Sequence, residues 1–284
     1  MGTNTNHLQK KLIKRFNKSA NNYKKYAIAQ QKMAENLLER LSFFNINPKN
    51  ILDLGCGKGE LSQALTELYP QANIFSLDFA EQMLSNKEYA DKIKIYPIVA
   101  DAHKLPLQDN STEVIISNAV LHWSLELNQL LKESKRILKE NGLFIFTTYG
   151  VDTLYEWKEA WFKTDPYKQY TNTFVDMHDI GDFLMRLGFS HPVVDRDKLT
   201  INYSKIETLI EDLKGIGSTL THPNKNKGLS TKNTWNKMKN NYPRQENGKY
   251  PLTWEIINAH CFNSPPPPAK YPQPYEIPLS ELKK

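Results

Sequence analysis

The stretch Ile51-Leu52-Asp53-Leu54-Gly55-Cys56-Gly57-Lys58-Gly59 constrains this chain more than any other. An apolar run with one acid leads into three glycines at alternate positions, and Leu61, Ala64, Leu65 and Leu68 then recur at helical spacing. The pattern predicts a buried strand, a tight turn and a helix. Glycines let the turn reach positive φ and let a ligand approach the backbone closely. The helix start offers unpaired N–H groups beside the strand's C-terminal edge, where open α/β sheets bind ligands. Two nucleotide motifs are excluded. A dinucleotide fold wants Gly-x-Gly-x-x-Gly, and a phosphate loop wants Gly-x-x-x-x-Gly-Lys-Ser/Thr. Gly59 comes one residue too early for the first, and no Lys-Ser/Thr pair follows for the second.

Further strands alternate with helices, which implies a parallel, doubly wound sheet. Asn73–Asp78 reads as strand two, and its terminal acid lies about 20 residues past the glycines, where an acid suits ribose hydroxyls. Asp78 also suits a helix cap before Ala80, and both roles can coexist. Lys92–Val99 is predicted as strand three, Glu113–Ser117 as strand four and Leu143–Thr148 as strand five. A helix over Gln129–Lys139 is expected to stop at Asn141-Gly142. A helix over 177–187 closes at Gly188, 192–203 reads as strand six and Leu252–Phe262 as the last strand.

Residues 1–12 read as disordered, and Leu12 to Leu41 as helical, with Phe16, Ala20, Tyr23, Ala27, Gln30 and Ala34 on one face. An N-terminal cap over 1–48 therefore precedes a domain over 49–262, with insertions at about 151–175 and 205–250. The first insertion is aromatic-rich and the second basic. Residues 263–284 form a proline-rich tail, expected to be flexible and extended.

No apolar run approaches the roughly 20 residues that span a bilayer. Cys56 and Cys261 are the only cysteines and have no metal-ligand spacing, so a cytoplasmic protein with free thiols and no metal is expected. The formal net charge of +6 favours an acidic partner without choosing among nucleic acid, membrane and protein.

Asp-x-Gly-x-Gly-x-Gly after an apolar strand resembles motif I of class I S-adenosylmethionine-dependent methyltransferases. The resemblance implies that Asp53, Gly55, Gly57 and Gly59 pass under the amino-acid part of the cofactor, that Asp78 takes the ribose, and that Asp101 meets the adenine amino group beside Ala102. Strand four ends Asn118-Ala119-Val120, without the Asp/Asn-Pro-Pro-Tyr/Phe of amino-methylating nucleic-acid enzymes. No cysteine nucleophile for pyrimidine C5 methylation lies there either.

A closer resemblance rests on Phe16, Ala20, Tyr23 and Gln30, the glycine motif, Asp78-Phe79 with Met83-Leu84, and Ser117-Asn118 with Trp123. It extends to Phe146-Thr147-Thr148, Leu213-Lys214-Gly215-Ile216-Gly217 and Gly248-Lys249-Tyr250-Pro251-Leu252-Thr253. Together these resemble the malonyl-acyl-carrier-protein O-methyltransferases of early biotin synthesis. That family implies a Rossmann-like sheet of seven strands, the last antiparallel, with an N-terminal helical cap and helical lid insertions. It implies S-adenosylmethionine as cofactor, held also by Gln30, Phe79, Met83 and Asn118. Methyl transfer to the free carboxylate of a malonyl thioester follows, with Tyr23, His122 and Lys214 positioning substrate and no general base.

The acyl carrier protein is acidic, so Lys225, Lys227, Lys232, Lys237, Lys239 and Arg244 would form a basic lid surface for it, with neither nucleic acid nor membrane as partner. His122 stands where many members have Gln, and Tyr170-Thr171-Asn172-Thr173-Phe174 stands where many have His-x-Asn-x-Phe. Two other readings stay open: a methyltransferase of another acid, a quinone precursor or RNA, and an assembly factor or hydroxylase on the same fold.

Overall fold

The structure, a computed structural model, describes residues 2–85, 94–168, 170–216 and 231–264. Seven strands form one sheet: β1 (Asn50–Leu54), β2 (Asn73–Asp78), β3 (Ile95–Val99), β4 (Thr112–Asn118), β5 (Leu138–Tyr149), β6 (Ser190–Tyr203) and β7 (Tyr250–Phe262). Their order is β3-β2-β1-β4-β5-β7-β6. The first five pair in parallel, and β7 lies antiparallel between β5 and β6. This is the expected doubly wound sheet with its antiparallel last strand. The order reverses between β1 and β4, which opens a crevice at the strands' C-terminal ends.

The described helices are α1 (Gly2–Ser19), α2 (Tyr23–Tyr26), α3 (Ile28–Ser42), α4 (Glu60–Leu68), α5 (Glu81–Leu84), α6 (Leu127–Ile137), α7 (Tyr155–Thr164), α8 (Met177–Arg186), α9 (Ile206–Gly215) and α10 (Lys232–Asn241). Three expectations are corrected. Residues 2–12 are helical, because α1 packs Leu12 and Phe16 against Met83 and Ala80 and gains there what its polar start lacks. The helical pattern of 12–41 is broken at Ala20–Asn22 and again at Ala27, so it folds as three helices. Helix α6 ends at Ile137, and Asn141, at φ +61°, instead shapes an irregular start to β5, where its N–H donates to Asn263 O.

Strand periodicity sorts the core. Ile51 faces Leu37 and Leu41 of α3 and Leu65 of α4, while Leu52 and Leu54 face Leu130 and Leu131 of α6 and Leu184 of α8. A third apolar cluster joins Ala27, Ala29 and Met33 to Trp157 and Trp161 of α7, Leu213 of α9 and Met238 of α10. The N-terminal helices and both insertions therefore share one roof. Arg40 pins α3 to β6 through a two-pronged ion pair with Asp195 at 2.7 and 2.8 Å. No described helix is long and apolar enough to cross a membrane. Both cysteines are buried.

Candidate active site

The glycine turn lies in the crevice. Gly55 and Cys56 donate their N–H groups to Leu77 O, and Gly59, at φ +80°, opens α4. Gly55 sits at φ +74°, and a side-chain carbon there would collide with Val120. Gly57, at φ +54°, has nothing within 4 Å of where such a carbon would stand. Its glycine identity leaves open space above the turn for a ligand.

Two acids flank that space. Asp53 is buried and accepts from Ser62 Oγ at 2.5 Å, and Ser62 in turn pairs with Ser76 at 2.6 Å. Asp78 accepts from Gly57 N at 3.0 Å and from Ala80 N at 2.8 Å, so it ties the glycine turn to β2 and also serves as the cap expected of it. Burial pushes Asp53 up to about 7 and Asp78 to about 6, and the hydrogen bonds they accept only partly offset it. Asn118 closes the cleft from β4. It donates to Gln30 O at 2.8 Å and accepts from Thr147 Oγ1 at 2.6 Å. The Gln30 backbone is thereby fixed, while its buried Oε1 has no partner. Gln30, Asp53, Gly55, Gly57 and Asn118 line one cleft together with Tyr23.

At the β3 end, Asp101 is held as an acceptor. Its Oδ1 faces His103 N at 2.9 Å and His103 Nδ1 at 2.6 Å, and its Oδ2 accepts from Gln9 Nε2 of α1 at 2.6 Å. These bonds, that from the His103 side chain above all, hold its carboxyl down at about 2. Phe16 of α1 meets Phe79 and Trp123 edge-on at 5.6 and 5.2 Å. Met83 is buried beneath α1, and Ala102 is half-buried against the α6 side of the sheet.

At the β5 end, aromatic rings replace the acids. His122, on a single 3-10 turn (Leu121–Trp123), lies 4.4 Å from the Tyr149 ring, which lies 5.0 Å from Trp254. Phe174 closes the group, 5.9 Å from both His122 and Tyr149. The β5 end of the crevice is thus a closed aromatic cluster. Desolvation pushes His122 down to about 3, so its ring is neutral. Burial, then the fields of Asp78 and Glu60, raise the Tyr23 phenol.

Lys214 is exposed on α9 and is not brought into the cleft. Its neighbour Gly215 matters more to the architecture, since a side chain there would strike the Tyr26 ring of α2. Lys232, Lys237 and Arg244 are exposed, Lys239 pairs with Glu207 at 2.6 Å, and Gly217, Lys225 and Lys227 lie outside the described residues. Sequence reasoning missed Gln9, Tyr149 and Trp254 as site residues. Tyr149 carried one usable signal, as the last residue of a central strand at its C-terminal edge.

A general methyltransferase-domain family model matches residues 52–146. A malonyl-[acyl-carrier protein] O-methyltransferase of Legionella pneumophila is 37% identical over 255 residues, covering 88% of this chain and 89% of its own. One from Gallionella capsiferriformans is 35% identical over 267 residues, covering 91% and 92%. Among solved structures, the YcgJ protein of Bacillus subtilis aligns with a TM-score of 0.58 at 14% identity, over 81% of this chain and 98% of that one. The [4+2]-cyclase SpnF aligns with a TM-score of 0.52 at 13% identity, over 82% and 80%. The fold is therefore shared with a protein named for different chemistry, and fold alone does not select methyl transfer.

Proposed function

The chain belongs to the malonyl-acyl-carrier-protein O-methyltransferases, and on that premise we propose that it esterifies the free carboxylate of a malonyl thioester carried by an acyl carrier protein. The observation that carries this reading is the extent of the match. The general domain model stops at residue 146, whereas the relatives match 88% and 91% of the chain, which leaves too little unmatched to omit both roof insertions. Those insertions wall the acceptor side.

The cofactor is S-adenosylmethionine, which supplies an electrophilic methyl on a charged sulfonium. The residues present fit it. Open space over Gly57, the unpartnered Gln30 Oε1 and two buried acids suit a ligand with an ammonium group and ribose hydroxyls. Gly55, Gly57, Gly59 and Asp53 would seat its amino-acid part with Gln30 and Asn118, Asp78 its ribose, and Asp101, Ala102, Phe79 and Met83 its adenine.

No general base is needed, since a carboxylate is ionised at neutral pH. The chain's work is alignment, which can contribute roughly 7–11 kcal/mol near attack geometry. Tyr23 lies between the cleft and the aromatic cluster and would orient the acceptor. Water exclusion favours a reaction in which opposite charges cancel. Phe174, on the coil between α7 and α8, must swing aside to admit an acyl arm. Esterification also hides a charge that apolar channels of chain elongation would bury at high cost.

We read 49–262 as the catalytic domain and 1–48 as its cap. Exposed Lys232, Lys237 and Arg244, with Lys214 at the roof's edge, would steer an acidic carrier, without nucleic acid as partner. Mass spectrometry of malonyl-carrier and malonyl-coenzyme A incubated with protein and cofactor tests the proposal. One methyl gained on the malonyl arm is expected. An unchanged arm, with turnover of another acid, overturns it.

A further inference from the structure

Six buried side-chain polar atoms among the described residues lack a partner. Four of them are Gln30 Oε1, in the cofactor cleft, and His122 Nδ1, Tyr149 OH and Trp254 Nε1. Native interiors leave few such groups unpaired, and a run of them points to a ligand that completes the bonding. The last three belong to contiguous rings, with His122 to Tyr149 at 4.4 Å and Tyr149 to Trp254 at 5.0 Å. Tyr149 is only 4% exposed and Trp254 3%. The two come from adjacent antiparallel strands, and Tyr23, which lines the cleft, packs against the apolar cluster that holds both. The cluster therefore adjoins the cleft at the residue facing the acceptor.

We propose that Tyr149 and Trp254, with His122, bind the acceptor carboxylate through hydroxyl, indole and imidazole hydrogen bonds, with no cation of the described residues in contact. The inference rests on the malonyl reading above. A phenol and an indole each offer one donor, and a carboxylate accepts several, so one oxygen is held while the other stays free to attack. Lys158 lies over the Phe174 ring and donates to Val151 O at 2.7 Å. Lys214 is on the exposed face of α9. The omission has a physical use. An arginine here would bind the carboxylate as a two-pronged ion pair, tie up both oxygens and repel the sulfonium. Neutral donors fix the acceptor and leave the sulfonium as its counter-charge.

The test compares wild type with Tyr149→Phe and Trp254→Phe. Each variant keeps an aromatic ring and removes the polar atom. The expected result is a KM for malonyl-carrier raised about 10- to 100-fold in Tyr149→Phe, the worth of a hydrogen bond to a charged group. Trp254→Phe shifts KM in the same direction. Calorimetric affinity for S-adenosylmethionine stays unchanged in both, which also reports that they fold. Inhibition by the methyl ester product stays unchanged as well, because the product has lost the charge that these donors serve. If both variants keep wild-type KM and kcat, the site is wrong while the substrate reading stands. Equal losses for substrate and product show a role in shape alone and overturn it too. A wild-type protein that leaves malonyl thioesters unmethylated overturns the substrate reading and this site with it.

Discussion

The two halves of the sheet's C-terminal edge are finished to different degrees. Over β1, β2 and β4, Asp53 is answered by Ser62, Asp78 by Gly57 and Ala80, and Asn118 by Gln30 and Thr147. Over β5 and β7, His122, Tyr149 and Trp254 each bury a polar atom that nothing answers. On our proposal the first half is the donor site, its geometry set by these bonds with Gln30 Oε1 left open. The second is completed by what binds it. A small, invariant cofactor suits a rigid seat, whereas an acyl group delivered by another protein needs a wall that opens.

The comparison breaks most directly at Gly55, on the preformed side. Gly55→Ala combines left-handed strain of about 1–2 kcal/mol with overpacking against Val120 of about 1–3 kcal/mol. Thermal melting should show a destabilised but folded protein. Calorimetry should show cofactor binding reduced at least 100-fold, because the turn's donors move together. Normal binding in the variant would mean that the seat adapts, and the contrast between the halves would fail.

The preformed half was legible in sequence because local chemistry writes it. Glycines at positive φ, an acid closing β2 and apolar runs in parallel strands are all constraints felt within a few residues. The other half is written by contacts across the chain. Tyr149 and Trp254 read as ordinary strand residues until the antiparallel pairing of β5 with β7 sets them side by side. Lys214 drew notice for its charge, yet Gly215 beside it seats Tyr26 and so joins α2 to α9. A packing glycine at the last residue of a helix leaves no periodic trace. The polar start of α1 misled for a similar reason, since its helicity depends on Phe79, Met83 and Trp123 beneath Phe16.

The halves should also answer pH in opposite senses. Asp53, with its folded pKa raised to about 7 by burial, binds a proton more readily in the native state. Its stabilisation is complete below about pH 4 and is lost as pH rises towards 7. His122, pushed down to about 3, stays neutral in the native state but charges in the unfolded chain. Its contribution is complete above about pH 6.5 and is lost on acidification. Each slope is at most about 1.4 kcal/mol per pH unit. Melting curves of ligand-free protein between pH 4 and 7 should therefore tilt towards high-pH stability in Asp53→Asn and towards low-pH stability in His122→Phe, relative to wild type. Tilts of the same sign in both variants would erase the distinction.

The smallest effect probes a contact through which the preformed half depends on a distant helix. Gln9 Nε2 occupies Asp101 Oδ2 at 2.6 Å, in the place where an adenine amino group would donate. His103 already takes Oδ1 twice, so the geometry leaves Oδ2 to be shared. Gln9 is half-buried and its amide is readily solvated, so Gln9→Ala should change stability by no more than about 0.5 kcal/mol. Cofactor affinity is the sharper readout. If Gln9 is a stand-in for adenine, its removal frees Oδ2 and tightens binding by about 2- to 5-fold, within the worth of one exchanged hydrogen bond. If it instead orients Asp101 for adenine, binding weakens by a similar factor. Titration calorimetry gives the sign directly. We expect tightening, because His103 alone already fixes the carboxylate's plane through two contacts to one oxygen.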